Sequence, residues 1–445
     1  MRKLFRNWIL FALCVFLLAN LMALALVFLK MPMLSDALPV SGWFPRVLVF
    51  HVDLSIVVWG LSMVSLMWLF HLPSKRAWLD RLALGLLFGA GVGLLSSILL
   101  GQGRPLLSNY IPILDAPLYL ASLGTFVAAV ALVAVPRVSQ LSLRVGVDSL
   151  PQAAFGLSLL AFLVTVAVQL VAWWRLSPLP LNLQQAELLF WGAGHSLQAV
   201  YLCSLLGGWF YLLQPNSARA HLLQRTSYRI GLLLMLPVIA APLMIAVAWS
   251  PDTSQYREAF SIWMRLFSLP ILGLMLLLAW SMLSANGIRS RLIIDGRLLA
   301  VGLSMVLFLL GVVIGAMIRG DSLLVPAHYH ATTGAVNLIF MALICDFFGL
   351  LRRGKGVQRQ LKTYAAGVVL MVMGLAISGW MGVGRKLAAS DQVFGSSGEM
   401  AAMLLMGCGG AVGLIASFWF IGRALPSLCR SAGSLGYSSG REVVG

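Results

Sequence analysis

Apolar runs of about twenty residues recur along the whole chain, separated by short polar stretches. A helix of that length crosses the hydrocarbon core of a bilayer, so each run predicts a membrane span. Pro237, Pro242 and Pro270 fall inside runs, where neighbouring helices can satisfy the freed backbone groups. The twelve predicted spans lie near residues 8–30, 46–71, 80–101, 110–135, 150–174, 187–213, 229–250, 259–285, 297–318, 328–351, 363–384 and 400–422.

The pattern predicts an all-α polytopic membrane protein with one integral-membrane domain, residues 1–423. The first run is longer than a signal-peptide core, which indicates a retained span. Residues 424–445 are rich in serine and glycine and are predicted to form a polar, mobile tail.

Composition supports the membrane class. The 445 residues are 60% hydrophobic and 10% charged, with a mean hydropathy of +0.94, which excludes a soluble domain of this length. The five cysteines show no Cys-x-x-Cys-His sequence, so covalent c-type haem on this chain is not expected.

The net charge of +17 has an uneven distribution. With the N-terminus inside, the inner loops and tails hold 22 of the 31 lysines and arginines, and the outer loops hold nine. This positive-inside bias predicts that both termini are cytoplasmic. Topology therefore accounts for the basic loops, and no nucleic-acid partner is expected.

The sequence His328-Tyr-His330 opens the tenth predicted span. Residues two apart on a helix point about 200° away from each other, so these imidazoles face opposite sides and could serve two metal centres. With the predicted topology, His51 and His195 lie at the same outer depth. Of the six histidines, the remaining two, His71 and His221, lie at the inner side and are predicted to be solvated.

A single histidine inside a membrane is often an interhelical hydrogen-bond partner. Four at one depth favour a cofactor site, because ionisable residues within spans are usually functional. Neutral imidazole is a natural axial ligand of haem iron. The lack of cysteine or carboxylate at the same depth and spacing argues against zinc.

These residues resemble subunit I of the haem–copper oxidase superfamily, which includes cytochrome oxidases and bacterial nitric oxide reductases. The resemblance is strongest to the cb-type branch and includes the number of spans. It rests on Arg46-Val-Leu-Val-Phe-His51 with Trp59-Gly60, Phe190-Trp-Gly-Ala-Gly-His195, Gly208-Trp-Phe-Tyr211 with Ser227-Tyr-Arg229, and Ala327-His-Tyr-His330 with Gly334-Ala.

The resemblance implies specific roles for the four outer histidines. His51 and His330 would ligate a low-spin haem, expected to be b-type. His328 would be the proximal ligand of a second, high-spin haem. His195 would correspond to one of three histidines that hold copper opposite that haem, which makes His328 and His195 the candidate catalytic pair.

The resemblance also implies partners and a location. Arg385 and Lys386 would contact haem propionates, since cationic side chains suit two carboxylates; alternatively, they only border the membrane. Expected partners are membrane lipid, a small electron-delivering subunit or cytochrome c, and O₂ or NO. The expected location is a bacterial-type inner (plasma) membrane.

The chain departs from the family at its second metal. The family has a His-His pair near the outer end of span 7, but no histidine lies between His221 and His328 here. Copper is therefore doubtful, because one imidazole cannot replace three. Tyr201, the next tyrosine after His195, lies about 240° around the helix from it and therefore does not share its face. Glu187 and Asp115 remain as carboxylates that could assist a metal or a proton, or simply make hydrogen bonds.

Two functions are consistent with the sequence, and a third is weaker. The chain could be a respiratory-type oxidoreductase subunit that passes electrons through the low-spin haem to the high-spin haem. It could instead be a non-catalytic haem protein, such as an electron relay, a gas sensor or an accessory subunit. A transporter would not explain why four histidines share one depth.

Overall fold

The computed structural model describes residues 2–30, 43–141, 149–177, 181–213, 222–284, 295–353, 355–386 and 395–430. Within these residues, twelve helices are long and apolar enough to cross a membrane, which confirms the predicted all-α polytopic bundle. They are α1 (Arg2–Lys30), α2 (Phe44–His71), α3 (Ala77–Leu99), α4 (Pro117–Ala134), α5 (Leu150–Leu176), α6 (Leu183–Leu213), α7 (Leu222–Ala248), α8 (Ser254–Leu283), α9 (Gly296–Met317), α10 (Leu324–Phe347), α11 (Lys355–Trp380) and α12 (Ser397–Arg430).

The predicted start of the fourth span is wrong. Strand β1 (Arg104–Leu106) pairs antiparallel with β2 (Ile113–Asp115), and α4 begins only at Pro117. Gly103 has a φ of 75°, and a Cβ there would overlap the carbonyl of Asp115. Glycine adopts this left-handed conformation without strain, so the backbone can pass close to Asp115 at the base of the hairpin.

The last helix extends further than expected. It continues to Arg430, into the segment predicted as a polar tail. Residues 431–445 lie outside the described residues, so the mobility of the tail stays a prediction, as does the single-domain division.

Three helices are the most enclosed by the rest of the protein. In the most apolar stretch of α6, 78% of the residues are buried. The share is 67% in α2 and in α10, but only 28% in α7 and in α8. A helix that is apolar on all sides and enclosed belongs to the centre of a bundle. All four outer histidines lie on the three enclosed helices.

A buried ion pair joins α3 to the turn after α4. Arg137 donates from Nη1 and Nη2 to the two carboxylate oxygens of Asp80, at 2.8 and 2.9 Å. Side-chain exposure is only 1% for Arg137 and 6% for Asp80. This bidentate geometry compensates part of the cost of removing two charges from water.

Glycines allow α11 and α12 to pack backbone to backbone. A Cβ at Gly409 would overlap the backbone at Leu370 and Met371, and a Cβ at Gly374 would overlap the backbone at Met406. Small residues at helix contacts are a main source of association in membranes, where the hydrophobic effect between helices is weak.

Candidate functional site

The four outer histidines share one hydrogen-bonding arrangement. Each ring places its Nδ1 on a backbone carbonyl, which can only accept, so each neutral ring carries its proton on Nδ1. The Nδ1-to-oxygen distances are 3.1 Å for His51 to Ala19, 2.7 Å for His195 to Trp191, 2.7 Å for His328 to Gly311 and 2.7 Å for His330 to Pro326. This arrangement leaves the Nε2 lone pair as the coordinating group of each ring.

In three of the four rings, Nε2 has no hydrogen-bond partner among the described residues: His51, His328 and His330. All three are only half-buried, although the helices that carry them are the enclosed ones. Each of these rings therefore keeps part of its surface accessible. Metal-ligating histidines characteristically donate their other ring N–H to a carbonyl, so the three residues fit axial ligation of haem iron.

His51 and His330 lie on facing helices. Further along the same helices, Trp59 of α2 donates from Nε1 to Asn337 Oδ1 of α10 at 2.9 Å. The ring of Tyr329 stacks on that of His330, with centroids 4.7 Å apart. The helices that carry the predicted bis-imidazole pair are therefore in contact, and haem ligation by the two histidines stays a prediction.

His328 lies against a different neighbour. Its Nδ1 donates to Gly311 of α9, and a Cβ at Gly315 would overlap the imidazole. Gly315 lies one helical turn after Gly311 and makes room for the ring. His328 and His330 thus contact different surroundings, as their two-residue spacing predicts.

A π-helical segment follows His51, and the sequence analysis missed it. It spans Asp53–Trp59 within α2. Tyr201 of α6 donates its hydroxyl to the carbonyl of Ile56 in this segment, and Tyr119 of α4 donates to Asp53. Such segments are often found at functional sites. Tyr201 therefore has a backbone partner on α2, far around α6 from His195.

His195 differs from the other three because both of its nitrogens are engaged. Tyr110 places its hydroxyl 2.9 Å from Nε2. The ring also lies among aromatic neighbours, with centroid distances of 4.5 Å to Tyr110, 4.9 Å to Trp191 and 5.7 Å to Phe260. The arrangement is that of a satisfied, buried histidine.

Tyr110 is delivered by the hairpin between α3 and α4. It lies between the paired strands β1 and β2, and Arg46 of α2 fixes the base by donating to the carbonyls of Gln102 and Gly103 at 3.0 and 2.6 Å. Nothing in the hydropathy pattern reveals this contact, because it joins residues 85 positions apart through an irregular loop.

Arg385 and Lys386 form part of a polar cluster at the end of the bundle that carries the Tyr110 loop. Arg385 donates to Asp321 and Asn109, and Lys386 donates to Asn109 Oδ1 at 2.9 Å. Lys386 Nζ also lies 3.9 Å from Glu187. These contacts hold both cations beside the Tyr110 loop, and contact with a propionate stays a prediction. Asp115, the other carboxylate considered, is exposed on β2.

The expectation that His71 is solvated is wrong. His71 is only 9% exposed, and its ring stacks on Phe155 with centroids 4.7 Å apart. The edges of Phe70 and Tyr211 complete an aromatic enclosure. Depth along a span does not tell whether its end packs against other helices. His221 lies outside the described residues.

No group of three or more histidine, cysteine, aspartate or glutamate side chains that could hold a metal ion is present among the described residues. The sequence of α7 contains no histidine. The absence of copper stays a prediction.

No protein-family model matches this chain. An uncharacterised protein of Aquifex aeolicus (strain VF5) is 25% identical, and the match covers 72% of this chain and 80% of that protein. An uncharacterised protein of Rickettsia prowazekii (strain Madrid E) is 24% identical over 91% of this chain and 92% of that protein. These similarities assign no activity.

A solved structure supplies the fold. The cryo-EM structure of a haem–copper terminal oxidase dimer matches with a TM-score of 0.77 and 15% identity, over 97% of this chain and 84% of that one. The chain is a multi-pass membrane protein. More particularly, it has the fold of a haem–copper terminal oxidase, as its sequence predicted, while the cb-type branch stays a prediction.

Proposed function

We propose that this protein is a haem-binding membrane redox protein of the haem–copper oxidase type, with two haems and no copper. One observation supports it above all. In a fold shared with a terminal oxidase, three imidazoles are anchored through Nδ1, and their Nε2 atoms have no hydrogen-bond partner among the residues that the structure describes. Polar groups inside a membrane protein are costly without partners, which favours an axial ligand at each of these nitrogens.

The residues divide into two sets. His51 and His330 would hold a low-spin b-type haem from both sides, which leaves no open position and suits electron transfer. His328 would hold the second haem from one side. Haem iron would supply one-electron transfer at the first position and binding of O₂ or NO at the second.

The surrounding residues have supporting roles. The Trp59–Asn337 hydrogen bond holds the helices of the bis-imidazole pair together. Arg385 and Lys386 would neutralise propionates near the outer surface, since the cluster that fixes them lies beside the same helices. An electron-donating subunit or cytochrome c would act from this side, in a bacterial-type plasma membrane.

Whether the second haem site catalyses reduction or only binds a gas depends on a second metal. The Nε2 of His195 on α6 is already hydrogen-bonded, and α7 carries no histidine. Both features favour gas binding or electron relay over rapid O₂ reduction. Metal analysis of the purified protein tests this point. Stoichiometric copper that is lost in His195→Ala would support function as an oxidase instead.

The haem ligands are tested by reduced-minus-oxidised absorption spectra of the purified full-length protein. We expect His51→Ala and His330→Ala each to abolish the narrow band of a low-spin b-type haem, because one imidazole cannot maintain six-coordination. His328→Ala should leave that band and remove the spectral change on adding CO.

His71→Phe is the matched control, since it removes an imidazole from the same helix as His51 and keeps an aromatic ring against Phe155. We expect it to keep both signals. A low-spin band that persists in His51→Ala excludes His51 as a ligand, and purified protein without haem would contradict the proposed function as a whole.

A further inference from the structure

The tautomer of His195 follows from its two contacts. The carbonyl of Trp191 can only accept, so Nδ1 carries the proton and Nε2 carries the single lone pair. The Tyr110 hydroxyl, 2.9 Å away, must then donate to that lone pair. A doubly protonated ring would place a charge among aromatic side chains, and no described carboxylate forms an ion pair with it. Nε2 is therefore already used.

The position of Tyr110 is built into α6. A Cβ at Gly194 would overlap Cβ and Cγ of Tyr110, so this glycine creates the notch that the tyrosine fills. The ring also meets Trp191 edge-on, with centroids 5.6 Å apart and planes at 88°. Burial raises the pKa of Tyr110 above its ordinary value, so the hydroxyl keeps its proton and remains a donor at neutral pH.

The same helix offers an internal comparison. Tyr256 of α8 packs into a second notch at Gly192, but its buried hydroxyl has no hydrogen-bond partner among the described residues. Gly192 thus makes room for Tyr256 of α8, and Gly194 makes room for Tyr110 of the hairpin. Of the two tyrosines, Tyr110 is the one that hydrogen-bonds to the imidazole.

We propose that Tyr110 is a positioning residue that holds His195 as the Nδ1–H tautomer and occupies its Nε2, so that His195 is a hydrogen-bonding group and not a metal ligand. Its place in a haem pocket rests on the proposed function. The state of the imidazole itself does not depend on it. The site then does not use a second metal. This explains both the absence of histidine from α7 and the hydrogen-bonded Nε2 of His195.

The experiment is ¹⁵N NMR of histidine-labelled full-length protein in detergent, with the His195 signals assigned by their loss in His195→Gln. We expect one protonated nitrogen and one hydrogen-bonded, unprotonated nitrogen. Tyr110→Phe should shift the unprotonated signal to that of a free lone pair, and Tyr256→Phe should leave it unchanged. Gly194→Ala keeps both side chains and should shift the signal in the same direction by displacing Tyr110.

Four results would overturn the proposal: two protonated nitrogens on His195, no shift in Tyr110→Phe, an equal shift in Tyr256→Phe, or a move of Nε2 to a metal-bound position on adding one equivalent of Cu(I) to the wild-type protein. The Cu(I) titration and Gly194→Ala keep the test decisive if Tyr110→Phe does not fold. The haem content of the same samples separates the two proposals, because the expected signals in protein without haem support this one and contradict only the proposed function.

Discussion

Single hydrogen bonds decide what each histidine of this protein can do. His328 and His195 both donate from Nδ1 to a carbonyl, but among the described residues only the Nε2 of His195 has a hydrogen-bond partner. The sequence predicts which histidines are candidates, because their order and depth follow from spacing and hydropathy. It could not predict the partner of His195, because Tyr110 reaches it from an irregular loop 85 positions earlier in the chain.

At the residue scale, the buried Asp80–Arg137 pair should be a large local contributor to stability. Asp80→Asn leaves the Arg137 guanidinium without a counterion at 1% exposure, and losing one partner of a buried pair costs about 3–5 kcal/mol. Denaturant unfolding in detergent, followed by tryptophan fluorescence, measures this loss.

The control for that measurement is the Arg385–Asp321 pair at the outer surface. The Asp321 side chain is 71% exposed, so Asp321→Asn should cost only about 0–1 kcal/mol. Equal losses in the two variants would show that burial does not determine the strength of the first pair.

At the scale of elements, hydropathy predicted all twelve helices, but it failed where local geometry competes with apolar composition. Part of the segment between Leu106 and Leu114 was predicted to belong to a span, yet it connects the two strands of a hairpin, at whose base a side chain on Gly103 would overlap the carbonyl of Asp115. The π-helical segment after His51 was missed for a related reason. Apart from Asp53 its sequence is ordinary for a span, and its carbonyl at Ile56 accepts a hydrogen bond from Tyr201 of another helix.

The packing of α11 on α12 gives a prediction for whole helices. Gly409→Ala places a methyl group against the backbone of α11, which cannot move aside as a flexible side chain would. We expect a loss of about 1–3 kcal/mol, typical of overpacking. Gly422→Ala on the same helix has nothing within 4 Å, so it should be neutral or stabilise by up to about 1 kcal/mol. Unfolding of both variants in detergent tests the contrast, and a neutral Gly409→Ala would argue against close backbone contact.

At the scale of the whole molecule, the remaining question is which way the bundle faces. Helix count and fold do not give orientation, because a bundle of twelve spans can be inserted either way. The charge distribution does, since 22 of 31 basic residues fall on the side predicted to be cytoplasmic. That side includes the segment before α11, whereas the histidine site and the Arg385–Lys386 cluster lie towards the opposite side.

Reporter fusions on either side of α11 test this orientation. Lys355 begins the helix and Arg385 follows its end, and 26 residues of helix extend about 39 Å, enough to cross a bilayer. We expect a fusion at Lys355 to report the cytoplasm and one at Arg385 to report the outside. Fusions at Lys75 and Arg104 are matched controls, because α3 separates them. The Lys75 fusion should agree with the one at Lys355, and the Arg104 fusion should agree with the one at Arg385. Two reporters of α11 on one side would contradict the span, whereas a consistent reversal of all four would keep the fold and move the histidine site to the cytoplasmic half of the membrane.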